Sequence, residues 1–273
     1  SRNLMKPEVN SAAASATAPD PATGILLGGM RINAGTYADT TARIVGWARR
    51  AEPRYVCVAN VHMVMEAHDS PGFRDVVNGS DWVTSDGVPL VWVLRRRGFP
   101  AAERVYGPTL MLWLCRAAAE QGLPIGLFGG TPEILEILCR NLLRLHPALK
   151  IAARIAPPFG AFTAEQNDRY VRELHESGAK IVFVGLGCPK QERWMAEHSP
   201  RLPAVLIGVG AAFNFHAGQV RQSPAWMQRM GLEWLFRFAM EPKRLWRRYL
   251  WHNPRFIWLV ATGRRAASNR PRP

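Results

Sequence analysis

The sequence predicts an α/β protein: a Rossmann-like, mostly parallel sheet flanked by helices, with a basic helical appendage at its C-terminal end. Three observations predict it. Apolar segments of strand length alternate with amphipathic segments of about 10 to 15 residues, the pattern of a parallel sheet covered on both faces. Three of the strands end in glycine-rich turns, GGTPE, GLGCPKQE and GVGAAFNF. From Gln219 onward the alternation stops and the composition turns to Arg and Trp.

Ile25 to Ile32 reads as a first strand. An amphipathic helix follows over Thr36 to Ala51, with Ala42, Ile44, Val45 and Ala48 on one face. Tyr55 to Ala59, YVCVA, is a buried strand that runs through Asn60 into a helix ending near His68, with a short helix from Pro71 to Val77 behind it. Asp81 to Thr84 is the next strand, Ser85-Asp86-Gly87 a turn, and Val88 to Arg97 a helix. A helix over Thr109 to Gln121 leads to the strand Pro124 to Phe128. Thr131 as N-cap and Pro132 at the first helical position then open a helix to about His146. Lys150 to Ile155 is a strand closed by Pro157-Pro158-Phe159-Gly160, and Thr163 caps a helix to about Ser177. Lys180 to Val184, a helix over Glu192 to His198, and the strand Ala204 to Val209 complete the core.

At 273 residues and 48% hydrophobic content the chain can bury a sizeable core. Its net charge of +14 is uneven, because residues 219–273 carry 12 Lys/Arg against Glu233 and Glu241. A basic tail of this kind seeks polyanions, either nucleic acid or anionic lipid. The four cysteines form no CxxC and no Cys/His cluster of metal-ligand spacing, so neither a disulfide framework nor a zinc site is expected, in keeping with a reducing compartment. No apolar run approaches the roughly 18 to 20 residues that span a bilayer. The organisation expected is a disordered leader over 1–23, an α/β catalytic core over 24–218 and a membrane-associating appendage over 219–273.

Chemistry is expected at the C-terminal ends of the strands, where parallel sheets bind ligands. Asp86 sits where a strand gives way to a helix and is either the N-cap of that helix or a functional carboxylate. Asn60 is likewise a cap or a ligand contact, and Arg104 a solvated loop residue or an anion contact. The glycine turns either make tight bends or let backbone N–H groups approach phosphate oxygens, which suggests a nucleotide or nucleotide-sugar. GLGCPK and GVGAAF put Lys190 and Phe213 where a dinucleotide fingerprint has its third glycine, which disfavours NAD. There is no P-loop and no DxD, so a diphosphate would be met by Arg, Lys and backbone amides and no metal is expected on it.

In the tail, Pro224 to Ala239 reads as one helix. After Pro242 a second places Leu245, Trp246, Tyr249 and Leu250 in one arc opposite Lys243, Arg244, Arg247, Arg248 and Trp251, until Asn253-Pro254 interrupts it. Basic amphipathic helices with Trp lie in the membrane interface. A nucleic-acid-binding protein and a nucleotide-dependent oxidoreductase are the rival functions, but no nucleic-acid-binding signature accompanies the basic residues.

SDGVPLV, ERVYGPTLM, GLFGGTPE, PPFG, VGLGCPKQE, GVGAAFNFHAG and MGLEWLFRFAMEPKRLWRRYL resemble, in this order and spacing, the WecG/TagA/CpsF glycosyltransferases, glycosyltransferase family 26, over about residues 25 to 250. The resemblance implies a cytoplasmic, metal-independent, inverting transferase, peripheral to the inner face of the bacterial cytoplasmic membrane. It would move a sugar from a UDP-sugar onto a polyprenyl-diphosphate-linked sugar in teichoic acid, common antigen or exopolysaccharide synthesis. By motif position Asp86 would be the general base and Arg104 would support the diphosphate or the acceptor. Asn60, Gly129, Gly130, Phe159, Gly187, Gln191 and Asn214 would be substrate contacts, with Arg237, Arg244 and Arg247 closing over the site from a tail held on anionic lipid. The expected partners are therefore the UDP-sugar, the lipid-linked acceptor and the membrane surface, not nucleic acid; self-association stays open. Two positions depart from the family pattern: Val58 where Thr is common, and Asn214 where Asp is usual.

Overall fold

The computed structural model describes residues 23–220, 223–224, 227, 233–240 and 250–262. Its centre is a six-stranded parallel sheet built from β3 (Arg54–Ala59), β4 (Trp82–Ser85), β5 (Ile125–Gly129), β6 (Ile151–Ile155), β7 (Ile181–Gly185) and β8 (Val205–Gly208), in the order β4-β3-β8-β7-β5-β6. Side chains alternate across it. Tyr55, Cys57 and Ala59 of β3 enter one apolar cluster and Val56 and Val58 the other, and β7 divides in the same way between Val182 and Val184 on one face and Ile181 and Phe183 on the other. Burial on both faces is why these strands are nearly continuous apolar runs.

The helices fill the two outer layers. α1 (Tyr37–Arg49), α5 (Gly107–Gln121), α6 (Pro132–Leu145) and the short α9 (Ala212–His216) cover one face. α2 (Val61–Asp69), α3 (Pro71–Asn78), α4 (Val88–Arg96), α7 (Ala164–Glu176) and α8 (Lys190–His198) cover the other. Their starts are written locally. Thr36 and Thr163 make capping boxes with Asp39 and Gln166, and Thr131 accepts from the Ile134 amide with Pro132 inside the first turn.

Two expectations are corrected. Ile25 to Ile32 is not one strand but the antiparallel hairpin β1 (Gly24–Leu27) and β2 (Met30–Asn33), a separate two-stranded sheet. Gly28 and Gly29, at φ of 59° and 86°, are its turn; two consecutive positive φ values are what a twist-matched two-residue turn requires. Asn253-Pro254 does not interrupt the helix: the chain is π-helical at 250–251 and continues through both residues as the α-helix His252–Thr262.

That terminal helix packs on α2 and lays the buried side chains of Phe256 and Leu259 into the core cluster beneath α2 and α3. Arg255 adds a two-pronged ion pair to Asp69 at the end of α2, one prong at 2.8 Å. The basic appendage expected from residue 219 thus includes a segment that shares the core of residues 24–218. The stretch projected as an amphipathic basic helix, 243–251, lies outside the described residues up to 249.

The connectivity reverses between β5 and β7, the position at whose C-terminal edge open parallel sheets commonly form a crevice. β5 leads outward to β6 while its neighbour β7 leads the other way to β8, so the turns that leave β5 and β7 diverge.

Candidate active site

β3 and β4 run in register with Ala59 beside Ser85, so the residues that follow them, Asn60 and Asp86, emerge side by side. The Asp86 N–H donates to the Ala59 carbonyl at 2.7 Å, which extends the pairing one residue past the strands. Asn60 then caps α2, its side-chain oxygen accepting from the Met63 amide at 3.2 Å. Asp86 does not cap α4. Gly87 occupies the N-cap position without any side-chain bond, so the Asp86 carboxylate is not committed to the helix start.

Instead the carboxylate meets Arg104. The Arg104 Nε–H donates to the Asp86 main-chain carbonyl, and Nη2 lies 3.4 Å from Oδ1, with both side chains about one-fifth exposed. Arg104 is in place because the segment around it is bound to the end of β4: the Val105 N–H donates to the Ser85 carbonyl at 2.9 Å and the Ser85 hydroxyl to the Glu103 carbonyl at 2.9 Å. Its guanidinium stacks 4.5 Å above the Tyr106 ring. The Tyr106 N–H in turn donates to the Tyr37 hydroxyl at 2.9 Å, and Tyr37 stacks on Trp113. Burial pushes the Tyr37 phenol up, so it is a protonated support at neutral pH.

Asp86, Asn60, Arg104 and Tyr106 face a cavity of about 970 Å³. Its polar end is these four residues with His62 and Arg96. Its apolar wall is Trp92 and Val93 of α4 facing Phe256, Ile257 and Val260 of the terminal helix. The cavity therefore combines a carboxylate and cations with apolar side chains, a lining suited to an amphiphilic ligand.

The glycine turns form a second, adjoining floor. A Cβ on Gly129 would sit 2.5 Å from the Gly185 carbonyl oxygen, and one on Gly185 would sit 2.9 Å from the Phe213 ring, so these glycines exist for backbone contact and ring packing. Gly130 at φ 71° packs beneath Phe213 and Ile134. Gly187 and Gly210, at φ 82° and 56°, instead face open space.

Gln191 ties the two turns together. Only 3% exposed, it accepts with one oxygen from the Gly187 N–H at 3.2 Å and the Gly210 N–H at 3.1 Å, and donates to Glu192 at 2.7 Å. These bonds make it a brace for the turns. Gln191→Leu is expected to destabilise the protein by about 1–3 kcal/mol, since two amides lose their acceptor. Urea unfolding checks this, and a change within about 0.5 kcal/mol would contradict the bracing role.

Residues 25–270 match the model of the Glycosyl transferase WecG/TagA/CpsF family. The chain belongs to this family. It is a glycosyltransferase of cell-surface polysaccharide synthesis.

In this transferase the structure brings Asn60, Asp86 and Arg104 into one cavity and sets Gly129, Gly130, Gly187 and Gln191 in or directly behind the turns that follow β5 and β7. Asn214 is half-buried in α9, its carbonyl accepting from the amides of Gln219 and Val220. Phe159 is 92% exposed beyond β6, in a loop joined to the β7 turn by the Lys190 ammonium, which donates to the Gly160 carbonyl and lies over the Phe162 ring. Arg244, Arg247 and the side chain of Arg237 lie outside the described residues. Sequence reasoning passed over Tyr37, Tyr106, His62 and Trp92. Tyr106 could have been found two residues after Arg104 in ERVYG, but Tyr37 and Trp92 look like ordinary helix residues until the fold places them. Burial raises the thiols of Cys57, Cys115 and Cys139, which leaves them as unreactive packing groups. No helix among the described residues is long and apolar enough to cross a membrane.

Proposed function

We propose that this transferase is a metal-independent, inverting enzyme that moves a sugar from a UDP-sugar onto a sugar carried by a membrane polyprenyl diphosphate. The observation that carries this reading is the Asp86 carboxylate: relieved of capping by Gly87, held by Arg104, and open to a cavity with one polar end and one apolar wall. Asp86 takes the proton of the acceptor hydroxyl as that oxygen bonds to the anomeric carbon. The bond from that carbon to the UDP oxygen breaks on the opposite face, so the configuration inverts.

UDP lies over the β5, β7 and β8 turns. Their open Gly187 and Gly210 and the helix starts behind them suit phosphate oxygens. Charge growing on the departing diphosphate falls to backbone N–H groups and to arginines, with Arg237, Arg244 and Arg247 of the tail added to Arg104. The Trp92, Val93, Ile257 and Val260 wall suits the first isoprene units of the acceptor, while Asn60 orients its sugar. Leu250, Trp251, Ile257, Trp258 and Trp92 are exposed apolar side chains, supporting a peripheral position on anionic lipid at the cytoplasmic face of the membrane.

A thermal-shift series tests the donor class. A ligand that binds only the native state at about 100 times its Kd adds about 2.7 kcal/mol of stability. UDP and at least one UDP-sugar are expected to raise Tm, with NAD and ATP inert. A shift with NAD and none with UDP would overturn the proposal in favour of an oxidoreductase.

A further inference from the structure

Beside the cavity, three metal-ligating side chains converge that neither family membership nor the proposed chemistry uses. His62 and Glu66 are one turn apart on α2, and His252 begins the terminal helix packed against it. His62 Nδ1 is 3.7 Å and His252 Nε2 is 4.0 Å from the same oxygen, Glu66 Oε1, and the three ligating atoms lie within 4.8 Å of one another. The two imidazoles are tilted by 58° with centroids 5.3 Å apart, so they do not stack flat against each other. The side chains are 17%, 35% and 13% exposed for His62, Glu66 and His252, enough to let an ion enter while most of the surrounding water is excluded.

We propose that His62, Glu66 and His252 form a binding site for a divalent transition metal of the Zn²⁺ class, which clamps the terminal helix to α2. Two imidazoles and one carboxylate are a common Zn²⁺ donor set, completed to four by water. Bonds of about 2.0–2.1 Å in a tetrahedron put ligating atoms about 3.3–3.4 Å apart, so the set closes on an ion with shifts of about 1 Å or less. Mg²⁺ and Ca²⁺ take oxygen ligands and are excluded by the two nitrogens.

The ion would fix the terminal helix where it matters. His252 is followed by Asn253, Pro254, Phe256, Ile257 and Val260, which line the cavity, and His62 of α2 lines it as well. Its role is that of a structural clip on the cavity wall. It depends on no choice of donor or acceptor.

The full-length protein, stripped with chelator and dialysed, is titrated with Zn²⁺ by calorimetry and with Co²⁺ by visible absorption. One ion per chain is expected, with a tetrahedral Co²⁺ spectrum, no competition from millimolar Mg²⁺, and slower hydrogen exchange over residues 252–262. His62→Ala and His252→Ala are each expected to weaken binding by at least about 100-fold, and Glu66→Gln by about 10-fold or more. Unchanged affinity in the doubly substituted His62→Ala/His252→Ala protein, or no stoichiometric binding by the natural chain, would overturn the site. If the variants do not fold, the exchange experiment on the natural chain decides: Zn²⁺ without effect on residues 252–262 rules the clamp out.

Discussion

Asp86→Asn is expected to lower sugar transfer by at least about 10²- to 10⁴-fold while UDP affinity stays unchanged. The substitution is nearly isosteric and removes the one property a base needs. Its structural consequences are small for identifiable reasons. Gly87 rather than Asp86 occupies the cap of α4, and the Arg104 Nε–H bonds the main-chain carbonyl of residue 86, which the variant keeps. The substitution also weakens the 3.4 Å contact between the Asp86 carboxylate and Arg104. Turnover and UDP calorimetry on the same preparation check this. Activity within tenfold of the natural chain would return Asp86 to a structural role, and loss of UDP binding together with turnover would make it a donor contact.

Phe256→Ala is expected to cost about 3–5 kcal/mol of stability, the usual range for emptying a buried phenylalanine site. Phe256 is buried in the cluster beneath α2 and α3 and also lines the cavity, so the variant should lose activity on a lipid-linked acceptor as well. Ile257→Ala separates the two effects. That side chain is 67% exposed yet lines the same cavity, so it should move the acceptor KM and leave urea unfolding within about 0.5 kcal/mol. A Phe256→Ala cost below about 1 kcal/mol would show that the terminal helix is not part of the core.

The legible parts of this fold are those written locally. Thr131 with Pro132, Thr163 with Gln166, and the glycines that close β5 and β7 each announce a boundary within five residues, and the structure has its elements there. The β1–β2 hairpin was hidden because apolar residues on both sides of Gly28-Gly29 read as one strand, although the double glycine is itself a turn signal. At Asp86 the local grammar was ambiguous: aspartate before a helix usually caps it, and only the backbone shows the cap to be one residue further on. Gln191 lies in a recognisable motif, but its acceptor role depends on the Gly210 amide of another loop, a pairing no local pattern contains. The same holds for His252 beside His62 and for Phe256 in the core. Those contacts join segments far apart in the sequence, which no local pattern contains.

The most direct measurement of the central claim is transfer itself: the full-length protein with a panel of UDP-sugars, a synthetic polyprenyl-diphosphate-linked sugar and no added Mg²⁺ or Mn²⁺, with the product's anomeric configuration read by NMR. The account predicts turnover of at least one UDP-sugar, release of UDP, an anomeric centre inverted relative to the donor, and loss of all three with Asp86→Asn. Transfer that retains the donor configuration, or that proceeds undiminished in Asp86→Asn, would contradict it.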